Sequence, residues 1–506
     1  DLHYPLRRQR QMCIRDSAIA FNALGDVVVT GTRNEDIKGS ESGMVKVYKY
    51  YPGQQSWVQW GSTIFGNEDT SEYWGNSVDI NSVGDTIIVG GEGSDITHNN
   101  GGLVRVFQMS KNYNNHGDWV QIGIDSDIQA VGSSVYMGSS VSMNGSGNII
   151  AVASRGEDTY HTDGGVVRVY YLDSGRWQLQ GTLESTRSYE YTGGGGGEAL
   201  SLNDDGTVLV VGAYNNNSTG TASGQVRIYK YNSSWSLVKS VNPNLTYEYM
   251  GWSVSLNGKG DVFVSGSPYY PSGSSQGRVR VYRDNGTDWE LMQMLAGPNS
   301  YSYFGNSVDI NSDGNIIVVG AYGYNSSYGA VNVYKWNNGL DFSSGSFTSL
   351  GQRIQGGHYD YCGEAVALNS LGARLAANYK NYNGSYKGSL QMWKIADLSY
   401  KTNYITISDD ISGNDASFNN INLLGDICGN DVSFNNVNLS GNTITKGDIS
   451  GNDVSFNNMD IRAIESTNWY IKANGDISGN DVSFNNIFLA GSLYSAVGDA
   501  SFNTLD

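Results

Sequence analysis

One short turn recurs seven times along this chain and limits what it can fold into. It reads NALGD, NSVGD, NGSGN, NDDGT, NGKGD, NSDGN and NSLGA, with the closing glycine at Gly25, Gly84, Gly147, Gly206, Gly260, Gly314 and Gly372. The steps are 59, 63, 59, 54, 54 and 58 residues. Self-similarity at such a period marks a repeat architecture, in which one supersecondary unit covers its apolar face only by stacking on its neighbours.

Each unit reads as four strands. An alternating stretch such as NSVDIN leads into the turn, an apolar run such as IIVVGAY follows, and a polar loop ends at a glycine before a third strand of the type GAVNVYKW. In the third strand Val and Tyr alternate with Lys or Arg, the pattern of a half-buried strand. A fourth strand opens on an aromatic residue at Trp57, Trp119, Trp177, Trp235, Trp289 or Phe347, which gives six such strands for seven units. Seven radial units of four antiparallel strands make a β-propeller. Its missing fourth strand calls for a donor that closes the ring, because an open sheet edge invites association. A lost native N-terminus and NYITIS, residues 403–408, are the two candidates.

The register FGNSVDINSDG…VVGAY, with the variants WGNSVDINSVG…IVGGE and MGWSVSLNGKG…VSGSP, resembles the FG-GAP repeats of integrin α chains and related extracellular proteins. The resemblance covers residues 18 to about 400 and implies a propeller that works outside the cell. In integrin-type blades the turn continues as a calcium loop, D-x-N-x-D-G-x-x-D. Here Asp309, Asn311, Asp313 and Gly314 match its start, but the ninth position is Ile317, and Val83 and Lys259 stand at the third acidic position of other units. Affinity for calcium follows the number of charged ligands. The preferred reading is therefore a hairpin turn, with calcium on Asp309, Asn311 and Asp313 as the alternative and no other cofactor expected.

The composition fits an all-β protein: 66 glycines, 35 tyrosines and only 6 prolines among 506 residues, with short Val/Ile/Tyr runs bounded by Asn, Asp and Gly. A formal charge of −18 argues against a nucleic-acid partner, since phosphate binding needs concentrated Lys and Arg. No apolar run approaches the roughly 20 residues needed to span a bilayer. Cys13, Cys362 and Cys428 lie far apart in unlike contexts, which leaves no disulfide framework and no CxxC metal pair. Residues 1–17 crowd Arg7, Arg8, Arg10 and Arg15 into an otherwise arginine-poor chain; they read as an adapter-derived, non-native segment and are set aside from the fold.

From residue 401 the period changes. DISGNDASFNN, DICGNDVSFNN and DISGNDVSFNN place Phe418, Phe434, Phe456, Phe484 and Phe502 at uneven steps. Each unit offers a short strand, a Gly-Asn turn and one aromatic flanked by Asn, which suits a β-solenoid or fibrous β-stalk over residues 401–506. These repeats resemble stalk repeats in fibres of phages and large viruses. The chain is expected to be a fragment.

Catalytic motifs fail inspection. GSSQG at residues 273–277 fits G-x-S-x-G, but Ser275 lies in a loop and not at a strand-to-helix elbow. GGGGGE at 193–198 lacks the Lys and Ser/Thr of a phosphate loop, and the five histidines share no metal-binding spacing. The chain is accordingly expected not to be an enzyme. In a four-strand meander the loops after the second and fourth strands emerge on one face, and here they are enlarged and rich in Tyr, Asn, Ser and Gly, the mixture recognition loops use. Tyr73, Tyr136, Tyr191, Tyr249, Tyr303 and Tyr361 each stand two residues before a junction glycine and read as packing between blades. The irregular tyrosines Tyr214, Tyr269, Tyr270, Tyr322, Tyr324, Tyr379 and Tyr382 are the candidate ligand-binding residues. N-x-S/T sequons occur at Asn217, Asn232, Asn244, Asn285 and Asn325. Together these features predict a recognition or adhesion module, extracellular or on a virion surface, that binds a cell-surface glycan or protein and forms a homotrimer through its stalk. The alternative is a purely structural fibre component with the propeller as a spacer.

Overall fold

A computed structural model of the chain describes residues 12–13 and 18–395, apart from 68–70, 111–116, 124–127, 197, 339–341, 343 and 381–387, together with strand segments between 405 and 479. The chain divides into two compact units, Asp1–Asp397 and Leu398–Asp506.

The first unit is a seven-bladed β-propeller. Blade 1 is built from Ala18–Phe21, Val27–Thr32, Met44–Tyr51 and Ser56–Gln59, paired antiparallel in chain order from the innermost strand outward. The same order repeats in five further blades whose innermost strands are Trp74–Ile80, Met137–Met143, Leu200–Leu202, Ser253–Leu256 and Val308–Ile310. In blade 7 the strands Val366–Leu368, Arg374–Tyr379 and Ser389–Lys394 are completed by Met12–Cys13, which pairs with Leu390 and Ser389. The closing strand thus comes from within residues 1–17, which the sequence reading sets aside from the fold, and not from NYITIS: Ile405–Ile407 runs parallel to Ile421–Leu423 in the second unit.

The turn that sets the period is a hairpin closed by its asparagine. The Asn311 Oδ1 accepts hydrogen bonds from the backbone N–H groups of Asn315 and Ile316 at 3.0 and 2.8 Å, and Gly314 supplies the left-handed conformation at φ 76°. Asn22, Asn81, Asn144, Asn203, Asn257 and Asn369 act in the same way. The next residue ties the blades together. Ala23 N–H donates to Ser82 O, Ser82 to Gly145, Gly145 to Asp204, and Asp204 to Gly258, at 2.9 to 3.1 Å, so that one end of the central channel is ringed by turns.

Burial departs from the half-buried pattern read in the third strands. The Arg227 side chain, expected on a solvated face, is fully buried, and Arg280 nearly so. Each blade is sandwiched between two others, so both faces of its inner strands are covered. Val29, Val45 and Val47 of blade 1 share a core with Trp74, Val78, Ile80 and Val89 of blade 2, and Ala376, Leu390 and Met392 of blade 7 pack on Val28, Tyr48 and Trp57 of blade 1 to close the ring. Buried arginines are accommodated by carboxylates. Arg227 donates to both oxygens of Glu190 at 2.7 Å and also to Gln225 and Thr186, which leaves the buried pair hydrogen-bonded throughout. Burial alone would raise the Glu190 carboxyl, yet the Arg227 charge and its hydrogen bonds hold it below the usual carboxylate range.

The glycine pairs of the repeat meet between blades. A Cβ on Gly212 would lie 2.1 Å from the carbonyl oxygen of Gly251, and one on Gly266 1.9 Å from that of Gly305. The second strand of one blade thus lies directly on the backbone that enters the next.

In the second unit the described strands run parallel and in register. Phe418 lies opposite Phe434, and Phe434 opposite Phe456, with Asn420, Asn436 and Asn458 aligned in the same way.

Candidate functional site

Two features of the propeller gather chemistry: the loop-rich face, and the central channel lined by the inner strands.

On the face, blades 2 to 7 are each entered through a segment of the type YEYMG or YSYFG. Its third residue is left-handed: Tyr73, Tyr136, Tyr191, Tyr249, Tyr303 and Tyr361 have φ between 50° and 55°. A non-glycine residue in this region costs roughly 1–2 kcal/mol, so the turn is held by its surroundings. Backbone bonds to the loop of the preceding blade do this, as where Tyr303 N–H donates to Ser275 O at 3.0 Å. The strained turn raises each ring onto the face beside the residue that follows the second strand of a blade.

The result is a continuous aromatic arc across blades 4 to 6. Tyr191 stacks on Tyr214 with ring centroids 5.8 Å apart, and Tyr214 contacts Tyr249 and the edge of Trp252. Tyr269 meets Tyr249, Trp252 and Tyr303, and Tyr303 stacks on Tyr322 at 4.8 Å and 11°. Offset ring contacts of this kind add about 0.5–1.5 kcal/mol each beyond area burial. The arc continues into blade 3, where Arg155 covers the Tyr136 ring at 4.3 Å and pairs with Glu92 at 2.9 Å. Burial pushes the Tyr214 phenol up to about 12, against the opposing charge of Arg155, and raises Tyr322 further, so these hydroxyls stay protonated at physiological pH.

At the blade 6 end a cleft of about 510 Å³ opens between Tyr301, Tyr303, Tyr322 and Tyr361, with Asn299 and Asn325 on its rim. Its loop carries three consecutive left-handed residues, Asn325, Ser326 and Ser327, at φ 51°, 56° and 72°. Strained backbone of this sort concentrates at binding sites.

The structure therefore redistributes the tyrosines. Tyr214, Tyr269 and Tyr322 lie in the arc, interleaved with Tyr191, Tyr249 and Tyr303 from the regular set that the sequence assigns to packing. Tyr270 lies outside the arc under the Arg278 guanidinium at 3.9 Å, and Tyr324 under Arg353 at 4.4 Å. Tyr379 is 4% exposed and packs against Trp393 within blade 7. Tyr382 lies outside the described residues. A ring two residues before a junction glycine and a ring just after the second strand are far apart in sequence, and only the meander brings them side by side.

Asp309, Asn311 and Asp313 point to different partners. The Asp309 carboxylate accepts from Ser255 Oγ and Leu368 N–H at 2.7 Å each, Asn311 closes its turn, and Asp313 lies 3.7 Å from Lys259 Nζ. Among the described residues no three His, Cys, Asp or Glu side chains gather as a metal-enclosing group.

The channel shows what the sequence reading missed. Asp79, Glu198, Asp204 and Asp309 line a cavity of about 190 Å³ whose walls include no Lys, Arg or His. Burial pushes the carboxyls of Asp79, Glu198 and Asp309 up to about 7, 8 and 6, and the Asp309 charge adds to the effect on the other two. The signal lay in the repeat register. Position two before the turn asparagine is Ala20, Asp79, Ser142, Ser201, Ser255, Asp309 and Ala367, a ring that reads straight across seven inner strands.

No protein family and no curated protein matches the chain. Among solved structures it is similar to one described as a putative 6-phosphogluconolactonase from Bacteroides uniformis, at 10% identity over 70% of this chain and 89% of that one, with a TM-score of 0.47. It is also similar to Sqt1 of Chaetomium thermophilum, at 16% identity over 78% and 86% of the two chains, with a TM-score of 0.46. The first comparison corrects the expectation that the chain is not an enzyme. That protein is described as an enzyme, and the absence of familiar catalytic motifs is no ground for excluding activity. At that distance the likeness carries no argument for a lactonase here. What the structure establishes is a seven-bladed β-propeller with an aromatic face and an acidic channel.

Proposed function

We propose that the propeller is a recognition module that binds a glycan or protein ligand through its loop-rich face. The observation that carries this reading is the arc from Tyr191 to Tyr322 ending in the tyrosine-lined cleft. Flat, rigid rings offer contact area at little entropy cost, and their protonated hydroxyls, with Asn299 and Asn325, supply orienting hydrogen bonds. The cleft volume falls within the range of small-molecule and saccharide sites.

The repeat register that resembles FG-GAP propellers, and the repeats after residue 401, extend the proposal. The module works at an extracellular or virion surface, carried on a β-solenoid or fibrous stalk that assembles as a homotrimer. The in-register parallel strands from Ile411 to Arg462 support the stalk reading.

The test is a glycan-array and cell-surface binding screen of the full chain beside a Tyr303→Ala/Tyr322→Ala variant. Saturable binding that the variant loses supports the proposal. A folded protein that binds nothing, or a variant that binds as well as the parent, overturns it. For the stalk, removing residues 398–506 is expected to convert a trimer to a monomer in light scattering.

A further inference from the structure

The cleft at the blade 6 end of the arc has a chemical preference of its own. The segment entering blade 6 supplies Asn299, Tyr301 and Tyr303, the loop after its second strand supplies Tyr322 and Asn325, and the segment entering blade 7 supplies Tyr361. No Lys, Arg, His, Asp or Glu stands among the described residues that line it. The charges nearby are engaged elsewhere. Glu364, whose field reaches Tyr322, is paired with Lys380 at 2.9 Å, and Arg353 covers the Tyr324 ring and donates to Asn332 at 2.8 Å.

The rim is polar and open. Asn299, Ser300, Asn325 and Ser326 are exposed, and their side chains make no hydrogen bond to a described residue. Amides and hydroxyls of this kind both donate and accept. Beside them stands a ring that is fixed yet uncovered. Tyr301 is 57% exposed, while its hydroxyl donates to Gly273 O at 3.0 Å and its backbone N–H donates to Ser274 O. A side chain tied in this way is ordered before a ligand arrives, which lowers the cost of binding.

We propose that this cleft takes an uncharged, hydroxyl-rich saccharide, with a sugar ring laid against Tyr301 and its hydroxyls bonded to Asn299, Asn325 and the serines between the tyrosines. This rests on the reading of the face as a recognition surface and names the ligand class of its cleft. The weakly positive C–H face of a sugar ring suits the negative face of an aromatic ring, and its hydroxyls meet partners that can donate or accept. Two other classes fit less well. A sialylated or sulfated sugar would enter a site with no cation among its described walls, on a chain of formal charge −18. A quaternary ammonium needs separate ring faces turned on one centre, whereas Tyr303 and Tyr322 are stacked at 4.8 Å and spend one face of each ring on the other.

The full chain is titrated in a calorimeter with lactose, maltotriose and chitotriose as uncharged probes, with sialyllactose and a heparin tetrasaccharide as anionic ones, and with choline chloride. Expected is saturable binding of an uncharged probe that does not change as sodium chloride rises from about 0.05 to about 0.5 M. Tyr301→Ala weakens it about tenfold or more, and Asn299→Ala about threefold or more. Tyr171→Ala, which removes an exposed ring from the third strand of blade 3, binds as the parent does. Tyr301 and Asn299 are exposed, so both variants are expected to keep the parent's thermal midpoint, and Asn299→Ala carries the test should Tyr301→Ala unfold. Binding confined to the anionic probes or choline, or an uncharged-sugar affinity that neither variant lowers, overturns the proposal and leaves recognition at the face standing. Cell-surface binding that protease treatment of the cells abolishes, with no sugar bound in the calorimeter, does the same and points to a protein ligand. Silence in both the titrations and the cell-surface screen overturns the two readings together.

Discussion

The Ser307 hydroxyl of blade 6 donates a 2.9 Å hydrogen bond to Glu198 of blade 4, passing over blade 5 between them. The same two blades are joined by the bond from Ser312 to Asp204. Both bonds span two blades, on the side of the channel that carries the aromatic arc.

The brace has a pH signature. Glu198 has its carboxyl raised by burial to about 8 from an ordinary value of 4.5. Between those values the folded chain holds a proton that the unfolded chain has released, so stability falls as pH rises from 4.5 towards 8 and levels off above. In metal-free buffer, Glu198→Gln is expected to flatten this part of the profile, read as the urea midpoint against pH. A slope unchanged by the substitution would place the titration elsewhere.

Removing one partner of the Arg227–Glu190 pair leaves a charge in a fully buried site. Glu190→Ala is expected to cost about 3–5 kcal/mol, whereas Glu190→Leu combined with Arg227→Met recovers most of it. Denaturant unfolding of the single and double variants checks this, and equal losses in both would contradict it.

Gly266→Ala places a methyl 1.9 Å from the Gly305 carbonyl oxygen, a backbone atom of the next blade. Blades 5 and 6 must separate to admit it, and the overpacking cost is expected at about 1–3 kcal/mol or more. By contrast Gly53, where an added methyl group would meet nothing within 4 Å, is expected to accept alanine without measurable change in thermal midpoint.

Asn311→Ala deletes the acceptor for the Asn315 and Ile316 N–H groups in a buried turn. A loss of about 1–3 kcal/mol is expected, with faster hydrogen exchange at those two amides. If calcium bound this turn, the loss would grow on adding calcium; none is expected.

Much of the ring was legible in the repeat alone. Seven Asn-x-x-Gly turns and the strands that flank them fall where the period puts them, because a meander needs only local pairing and neighbouring units impose the same demands on each copy. The opening aromatics of the fourth strands, such as Trp235 and Trp289, stand at strand starts as their spacing implies. The site was less legible. Burial of Arg227 came from a second face covered by the adjacent blade, which strand alternation in one blade does not reveal. Tyr270 and Tyr324 lie under arginines outside the arc, and Tyr379 packs within its own blade, because an offset of one or two residues along the chain decides whether a ring meets the face.

Sequence by itself determined the unit, its number and its turn chemistry, since left-handed glycines and apolar alternation act over a few residues. Tertiary structure alone decided which rings form the arc and that Asp79, Glu198, Asp204 and Asp309 share one cavity, since these residues come from different blades and meet only where ring closure brings their inner strands together.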